Sequence, residues 1–327
     1  MIQYRINTRE VFDRIHSMGI NNNSTKIILK LFKAGIIPTQ YNWEDQTILT
    51  YLCKRKISTC NILIQNFIFQ YGTYDIINFP NKWGDTPIKI ASGNKYINNY
   101  NINLLLSRGA NLNIKNKYGL NALHTIFFNQ LWNRAILFIK NGLVNVNFKS
   151  NIDNTSSILF LTQMNDGSPS YFKLMQIMLQ KCNNETLTCV NYNGDTILSM
   201  AIKYNVLDIV KYCVTHNIHL NYQLQRYCPM ALCILYQRLE MFNILKQSTN
   251  VDFEIFLNTK IHKILFRGLQ KYKKYIEIIH DLNYKYISKL FIFGMVNKSS
   301  TIYLNFSYKN TYLFDKNTIK IIFKYLK

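Results

Sequence analysis

The chain has 327 residues, 39 Lys/Arg against 17 Asp/Glu for a formal net charge of +22, and 48% hydrophobic residues. That length holds one large domain or two small ones with a sizeable core. The scarcity of glycine (12) and proline (5) excludes collagenous, linker-rich and sandwich-like designs.

In chain order, residues 1–14 hold Arg5, Arg9, Glu10, Asp13 and Arg14 with no apolar stretch, so no signal peptide is expected. Residues 27–39, containing Leu31-Phe32-Lys33-Ala34-Gly35, form a partial first unit. The octet Asn81-Lys82-Trp83-Gly84-Asp85-Thr86-Pro87-Ile88 is echoed by Asn116-Lys117-Tyr118-Gly119-Leu120-Asn121-Ala122-Leu123 and by Asn191-Tyr192-Asn193-Gly194-Asp195-Thr196-Ile197-Leu198. Weaker copies begin at Asn42, Asn151 and Gln225. The glycine-equivalent positions Asp45, Gly84, Gly119, Asn154, Gly194 and Cys228 recur at a period of roughly 35 residues, as a helical repeat array requires. One insertion, residues 164–170, is expected between the two helices of its unit.

Each part of the repeat has a mechanical reason. Thr86 and Thr196 can cap a helix through the hydroxyl, and Pro87 suits a first helical turn. Ile88, Ile90 and Ala91, then Ile102, Leu105 and Leu106, fall where two helices bury against neighbours. Second halves recur at residues 104–113, 138–147 and 212–221, where Gly or Asn past the helix end admits a left-handed residue. No unit can bury its own apolar face, so the stack is the cooperative entity.

This pattern resembles the ankyrin-repeat family over about residues 21–256. The resemblance implies an all-α solenoid of about six to seven repeats, spanning residues 1–256 with a partial first repeat. Residues 257–327 are expected to form a helical C-terminal cap. There, helical spacing runs over 261–281 and 286–296, and a polar, aromatic stretch at 298–312 reads as a loop. A final amphipathic helix over 318–326 places Ile319, Ile322, Phe323 and Leu326 on one stripe.

The order from Phe314 and Asp315 through Ile319, Ile322, Phe323, Tyr325 and Leu326 looks like the start of an F-box. It departs from that pattern at Asp315 and Asn317. An ankyrin stack with such an ending resembles the poxvirus ankyrin proteins that carry the PRANC motif. That resemblance implies recruitment of Skp1 and a cullin-1 ubiquitin ligase, with a host protein held by the repeats in the host cytoplasm or nucleus. The competing reading is an amphipathic helix that only seals the solenoid.

Catalysis has little support. The P-loop, dinucleotide-binding, nucleophile-elbow and zinc-protease signatures are all missing, and no enzyme activity or cofactor is expected. The seven cysteines include no CxxC pair and read as reduced core thiols. Cys213, His216 and His219 have a spacing that could suit zinc, but the repeat alignment places them in the core, near a helix cap and in a loop. His124 falls at the histidine of the family's Thr-Pro-Leu-His pattern, where a structural hydrogen bond is expected.

Residues 260–327 hold 14 Lys/Arg against Glu277, Asp281 and Asp315, which invites a nucleic-acid reading. Only Lys271-Tyr272-Lys273-Lys274 is a tight cluster, and Asn, Ile, Lys, Tyr and Phe all have A/T-rich codons, so nucleic acid is not the favoured partner. No uncharged apolar run is long enough to span a membrane.

The candidate binding surface is the row of repeat tips, which ankyrin stacks project beside a concave face. Trp43, Trp83, Tyr118, Tyr192 and Tyr227 stand there, beside Lys82, Lys117 and Arg226. Aromatic and arginine side chains dominate many interfaces. Equally, each ring could pack on the next tip and stabilise the stack.

Overall fold

The computed structural model describes residues 15, 17, 19–34, 47–224 and 227–252. They all fall within one unit, Met1–Phe266. Among them are the helices α1 (Asn22–Lys33), α2 (Ile48–Lys54), α3 (Cys60–Tyr71), α4 (Tyr74–Asn78), α5 (Pro87–Ser92), α6 (Asn99–Ser107), α7 (Ala122–Phe128) and α8 (Trp132–Lys140). They continue with α9 (Ser157–Gln163), α10 (Pro169–Lys181), α11 (Asn184–Leu187), α12 (Ile197–Tyr204), α13 (Leu207–Thr215), α14 (Pro229–Leu235) and α15 (Leu239–Gln247). The described residues contain no β-strand, only isolated bridges between Lys149 and Ser156 and between Leu224 and Tyr227.

The helices include six pairs, α2/α3, α5/α6, α7/α8, α9/α10, α12/α13 and α14/α15, and α1 before them stacks as a second helix does. First helices stack in a row, α2 on α5, α5 on α7, α7 on α9, α9 on α12 and α12 on α14. Second helices stack likewise, α1 on α3, α3 on α6, α8 on α10 and α13 on α15. The insertion at 164–170 lies between α9 and α10, as its sequence position requires.

Local chemistry sets the boundaries. The Thr86 hydroxyl accepts from Lys89 N at 3.4 Å, with Pro87 opening α5. Thr196 and Ser199 form a reciprocal capping box on α12. Asn98, Asn121 and Ser168 cap α6, α7 and α10 through their side chains. Inward positions are sealed: Ile48, Leu49, Ile88, Ala91, Leu105, Leu123, Ile126, Ile158, Leu161, Ile197, Leu198 and Cys213 are wholly buried. Each aliphatic side chain of that size contributes about 1.5–3 kcal/mol when fully buried. Ile90 and Leu106 are only half-buried.

Polar staples join neighbouring repeats. On the return loops, an asparagine carbonyl accepts the backbone N–H of the next repeat: Asn78 from Asn111 at 3.0 Å, Asn113 from Asn145 at 2.6 Å, Asn147 from Asn183 at 2.8 Å and Asn221 from Asp252 at 2.7 Å. Asparagine abundance is therefore partly structural and not only a codon effect. Arg134 on α8 donates to Ser92 O at 2.8 Å, Ile97 O at 2.9 Å and Asn94 O at 3.1 Å, closing the exposed end of α5. Arg238 repeats the device on α12, reaching Ile202 O at 3.2 Å and Lys203 O at 3.3 Å.

Candidate functional site

Three tips share one architecture, built on a buried asparagine. Asn81 Oδ1 accepts from Trp83 N at 3.0 Å and Asp85 N at 2.9 Å. Asn116 does the same for Tyr118 N and Leu120 N, both at 3.0 Å. Asn191 holds Asn193 N at 3.0 Å and Asp195 N at 2.8 Å. Such side-chain turns suit asparagine because its carbonyl mimics a backbone acceptor. The turn closes through a left-handed glycine, with φ of +83° at Gly84, +78° at Gly119 and +81° at Gly194.

The tip between those at Asn116 and Asn191 departs from the expected register. Its turn begins at Ser150, not Asn151: Ser150 N donates to Thr155 O at 3.0 Å, and Ser150 Oγ accepts from Ile152 N at 3.2 Å. The turn holds one more residue than its neighbours. Asn154, at φ +57°, takes the glycine role as the sequence suggested.

A backbone ladder links these tips. Lys117 N donates to Trp83 O at 3.0 Å, Asn151 N to Tyr118 O at 2.9 Å and Tyr192 N to Asp153 O at 2.9 Å. The donor is always the residue after the turn's first, so its side chain carries none of the ladder. Close approach explains the glycines: a Cβ on Gly119 would stand 2.7 Å from Asn151 Oδ1, and one on Gly84 3.0 Å from Lys117 N.

The side chains at the tips divide. Trp83 is half-buried, with Lys82 Nζ 4.5 Å and Lys54 Nζ 5.6 Å from its ring centroid. Tyr118 and Tyr192 are exposed, at 41% and 75%, and Lys117 is exposed beside Tyr118. Lys82 and Tyr227 are half-buried. Trp43 and Arg226 lie outside the described residues, as do Phe314, Ile319, Ile322, Phe323, Tyr325, Leu326 and the Lys271 cluster. The ring of Trp83 thus leans on ammonium groups of its own and the preceding unit, while Tyr192 projects.

The first helices add residues that the sequence reading missed. Counting from the capping residue, the seventh following position is Lys54, Gly93, Phe128, Gln163, Lys203 and Leu235 in successive units. Lys54, Phe128, Lys203 and Leu235 are exposed there, Phe128 at 70%. Its neighbours Ile126 and Phe127 are fully buried. Within the run Ile126-Phe127-Phe128, only the register of the helix separates the two phenylalanines. Gly93 is buried at this position because Thr125 of the next unit packs where its side chain would stand: a Cβ on it would come 2.2 Å from Thr125 Cγ2.

Residues weighed for chemistry take structural places. Burial raises the pKa of all seven cysteines, so their thiols stay protonated at neutral pH. Cys213 is in the core of α13. His216 caps that helix and stacks on Tyr212 at 3.9 Å, and His219 sits in the return loop against Tyr222. Among the described residues, no three His, Cys, Asp or Glu side chains converge as metal ligands would. No described helix is long and apolar enough to cross a membrane.

His124 corrects an expectation. It is buried, but neither ring nitrogen meets a hydrogen-bond partner. The rings of Phe148 and Phe160 stand 4.0 and 5.1 Å from it, filling the space with apolar surface. Burial first, then the charge of Lys89, lowers its pKa to about 3, so it is neutral at physiological pH.

Residues 159–256 match the family model described as "Ankyrin repeats (3 copies)". No curated protein sequence matches the chain. Similar solved structures include a predatory endopeptidase from Bdellovibrio bacteriovorus in complex with an immunity protein, at 19% identity and a TM-score of 0.48, covering 64% of this chain and 100% of that one. Another is the ankyrin repeat domain of Bcl-3, a member of the IkappaB protein family, at 16% identity and a TM-score of 0.48, covering 68% and 92%. The match identifies ankyrin repeats in residues 159–256, and the layered helix pairs of the described residues form an all-α ankyrin-repeat solenoid.

Proposed function

We propose that the chain is a non-enzymatic protein-binding scaffold that engages its partner through the concave, first-helix face and the adjoining tips. The supporting observation is the exposure of Tyr118, Tyr192 and Phe128 on a backbone stiffened by the tip ladder. Large rings held on a rigid support lose little entropy on binding. Trp43, Lys82, Trp83, Lys117, Arg226 and Tyr227 belong to the same candidate surface.

The repeats, read with the order of residues 314–326, support a viral protein acting on a host protein in the host cytoplasm or nucleus. The second reading, a substrate adaptor for a Skp1/cullin-1 ligase, rests on that terminal order alone. Residues 257–327 are accordingly taken as a separate helical segment.

The test is affinity purification from host cells with the full chain, a Tyr118→Ala/Phe128→Ala/Tyr192→Ala triple variant and a chain lacking 315–327. The scaffold reading expects the triple variant to lose its partners at unchanged melting temperature. Undiminished recovery would defeat it. Skp1 recovered equally with and without 315–327 removes the ligase reading.

A further inference from the structure

The outer faces of the second helices differ between the two ends of the solenoid. On α1, α3, α6 and α8 the outward positions hold Ile27, Ile62, Phe69, Tyr100 and Leu137, all exposed, with Phe69 at 58%. On α10, α13 and α15 the exposed positions are polar: Lys173 and Gln176, then Asp208 and Lys211, then Glu240 and Gln247. A single exposed apolar side chain is ordinary. A row across four consecutive units that stops at the next three marks an interaction surface.

The same four helices contain no Asp or Glu. Lys26, Lys30 and Lys33 on α1 and Lys140 on α8 are exposed, and among the described residues no ion pair or hydrogen bond engages their ammonium groups. The arginines at α6 and α8 are engaged: Arg108 lies over the Phe69 ring at 5.9 Å, and Arg134 closes the end of α5. The acid closest in sequence to α3, Asp75, lies on α4 in the return segment. The platform is tied together. Gln70 Nε2 donates to Phe32 O at 2.7 Å, joining α3 to α1, and Asn101 Nδ2 to Asn61 O at 2.9 Å, joining α6 to α3.

We infer that this outer face docks on an anionic lipid bilayer, lying on the surface without crossing it. Ile62, Phe69 and Tyr100 enter the boundary between headgroups and acyl chains, and Lys26, Lys30, Lys33 and Lys140 meet the headgroup anions. A second copy of the chain is a poor occupant, because an acid-free basic face meets like charge on itself. Protein interfaces favour arginine and are depleted in lysine, whereas here the free cations are lysines and the arginines are spent within the fold. An ammonium on a flexible stem suits a diffuse negative field. Tyr100, with an apolar body and a polar tip, suits a boundary that is dry on one side and wet on the other. Stacked helices lie about 8–10 Å apart, so the row from Ile27 to Leu137 spreads over roughly 24–30 Å, as a broad target requires. The first-helix face and the tips are not used, so the inference stands apart from the scaffold reading.

The test is co-sedimentation of the full chain with vesicles of phosphatidylcholine alone or mixed with phosphatidylserine. The chain should bind the mixed vesicles and weaken at 1 M salt, where screening shortens to about 3 Å. The decisive variant keeps every charge: Ile62→Gln/Phe69→Gln/Tyr100→Gln should bind about tenfold more weakly. Lys26→Gln/Lys30→Gln should also lose about tenfold, and Lys273→Gln/Lys274→Gln, with the same change in net charge, much less. Tyr100→Trp should be quenched by vesicles with brominated acyl chains beyond the quenching of the parent. Circular dichroism establishes that the variants are folded.

No sedimentation with the mixed vesicles, or equal sedimentation with both kinds, overturns the inference. Undiminished binding by the triple Gln variant overturns it as well, because net charge alone would then explain the attraction. Equal losses from the two lysine pairs, or an unquenched Trp at position 100, would remove this face as the contact. Each of these results leaves the protein-binding reading of the inner face untouched.

Discussion

Removing the Arg134 guanidinium should cut the solenoid at one junction. Its side chain leaves α8 and donates to Ser92 O, Asn94 O and Ile97 O at 2.8–3.1 Å, with Ala91 O at 3.4 Å. These carbonyls lie at and just beyond the C-terminus of α5, where helix ends leave acceptors unpaired and a positive charge is favourable. Hydrogen bonds from a charged donor contribute about 1.5–3 kcal/mol each in favourable cases. The group is partly accessible, and water recovers some of the loss. Arg134→Met, which keeps the aliphatic stem, should therefore cost about 2–4 kcal/mol. Arg134→Lys should recover less than half, because one ammonium cannot span acceptors so far apart.

Urea unfolding followed by far-ultraviolet circular dichroism and by tryptophan fluorescence measures both the loss and its distribution. Trp83 and Trp132 lie on opposite sides of the α5–α7 junction. Stability in a stack is a sum of units and interfaces, so the two probes should separate in the variant. Arg238→Met should cost less, since its two bonds are longer. An Arg134→Met chain within about 0.5 kcal/mol of the parent would refute the clamp.

Further outcomes follow from the same geometry. His124 is neutral when folded, with a pKa of about 3 against 6.5 unfolded. The unfolded chain alone takes up the proton as pH falls below 6.5, so its contribution to stability is full above 6.5 and declines towards 3. That amounts to about 2–3 kcal/mol between pH 6.5 and 4.5; His124→Leu should flatten this part of the urea-midpoint profile, and an unchanged slope would contradict the assignment. Gly119→Ala should cost about 2–4 kcal/mol by thermal melting, adding the clash with Asn151 to left-handed strain. Gly142→Ala, at φ +65° with open space around the site, should cost only about 1–2 kcal/mol; equal losses would show that the clash contributes nothing.

How much was legible in the sequence depended on the range of the interaction. The tips at Asn81, Asn116 and Asn191 were visible because asparagine, glycine and the capping residue act within eight positions and recur. The tip at Ser150 was misregistered by one, because serine replaces the asparagine and an extra residue pads the turn. Arg134 and the return-loop asparagines gave no local signal, since their partners lie 31–43 residues away. Phe128 was hidden for another reason. It ends an apolar run, and composition does not tell the buried face of a helix from the exposed one. His124 shows the opposite failure: the motif was present, but Phe148 and Phe160 had replaced the polar surroundings that motif assumes.

The tips separate what holds the stack from what a partner can read. Asn116 and Gly119 are fixed by their side chains, or by the lack of one, and neither can change without loss of the turn. Lys117, Asn151 and Tyr192 serve the ladder only through backbone N–H groups, so the ladder admits any residue but proline at those positions. Trp83 and Tyr118 likewise accept only through backbone carbonyls. Side chains at these places are therefore free of the ladder's demands. Trp83 has other constraints, being half-buried beneath two ammonium groups. Tyr192, 75% exposed at a position where the backbone asks for nothing, has no such structural account. A large ring standing in water at a place the turn does not constrain is open to the proposed partner, so Tyr192→Ala should weaken binding at an unchanged melting temperature.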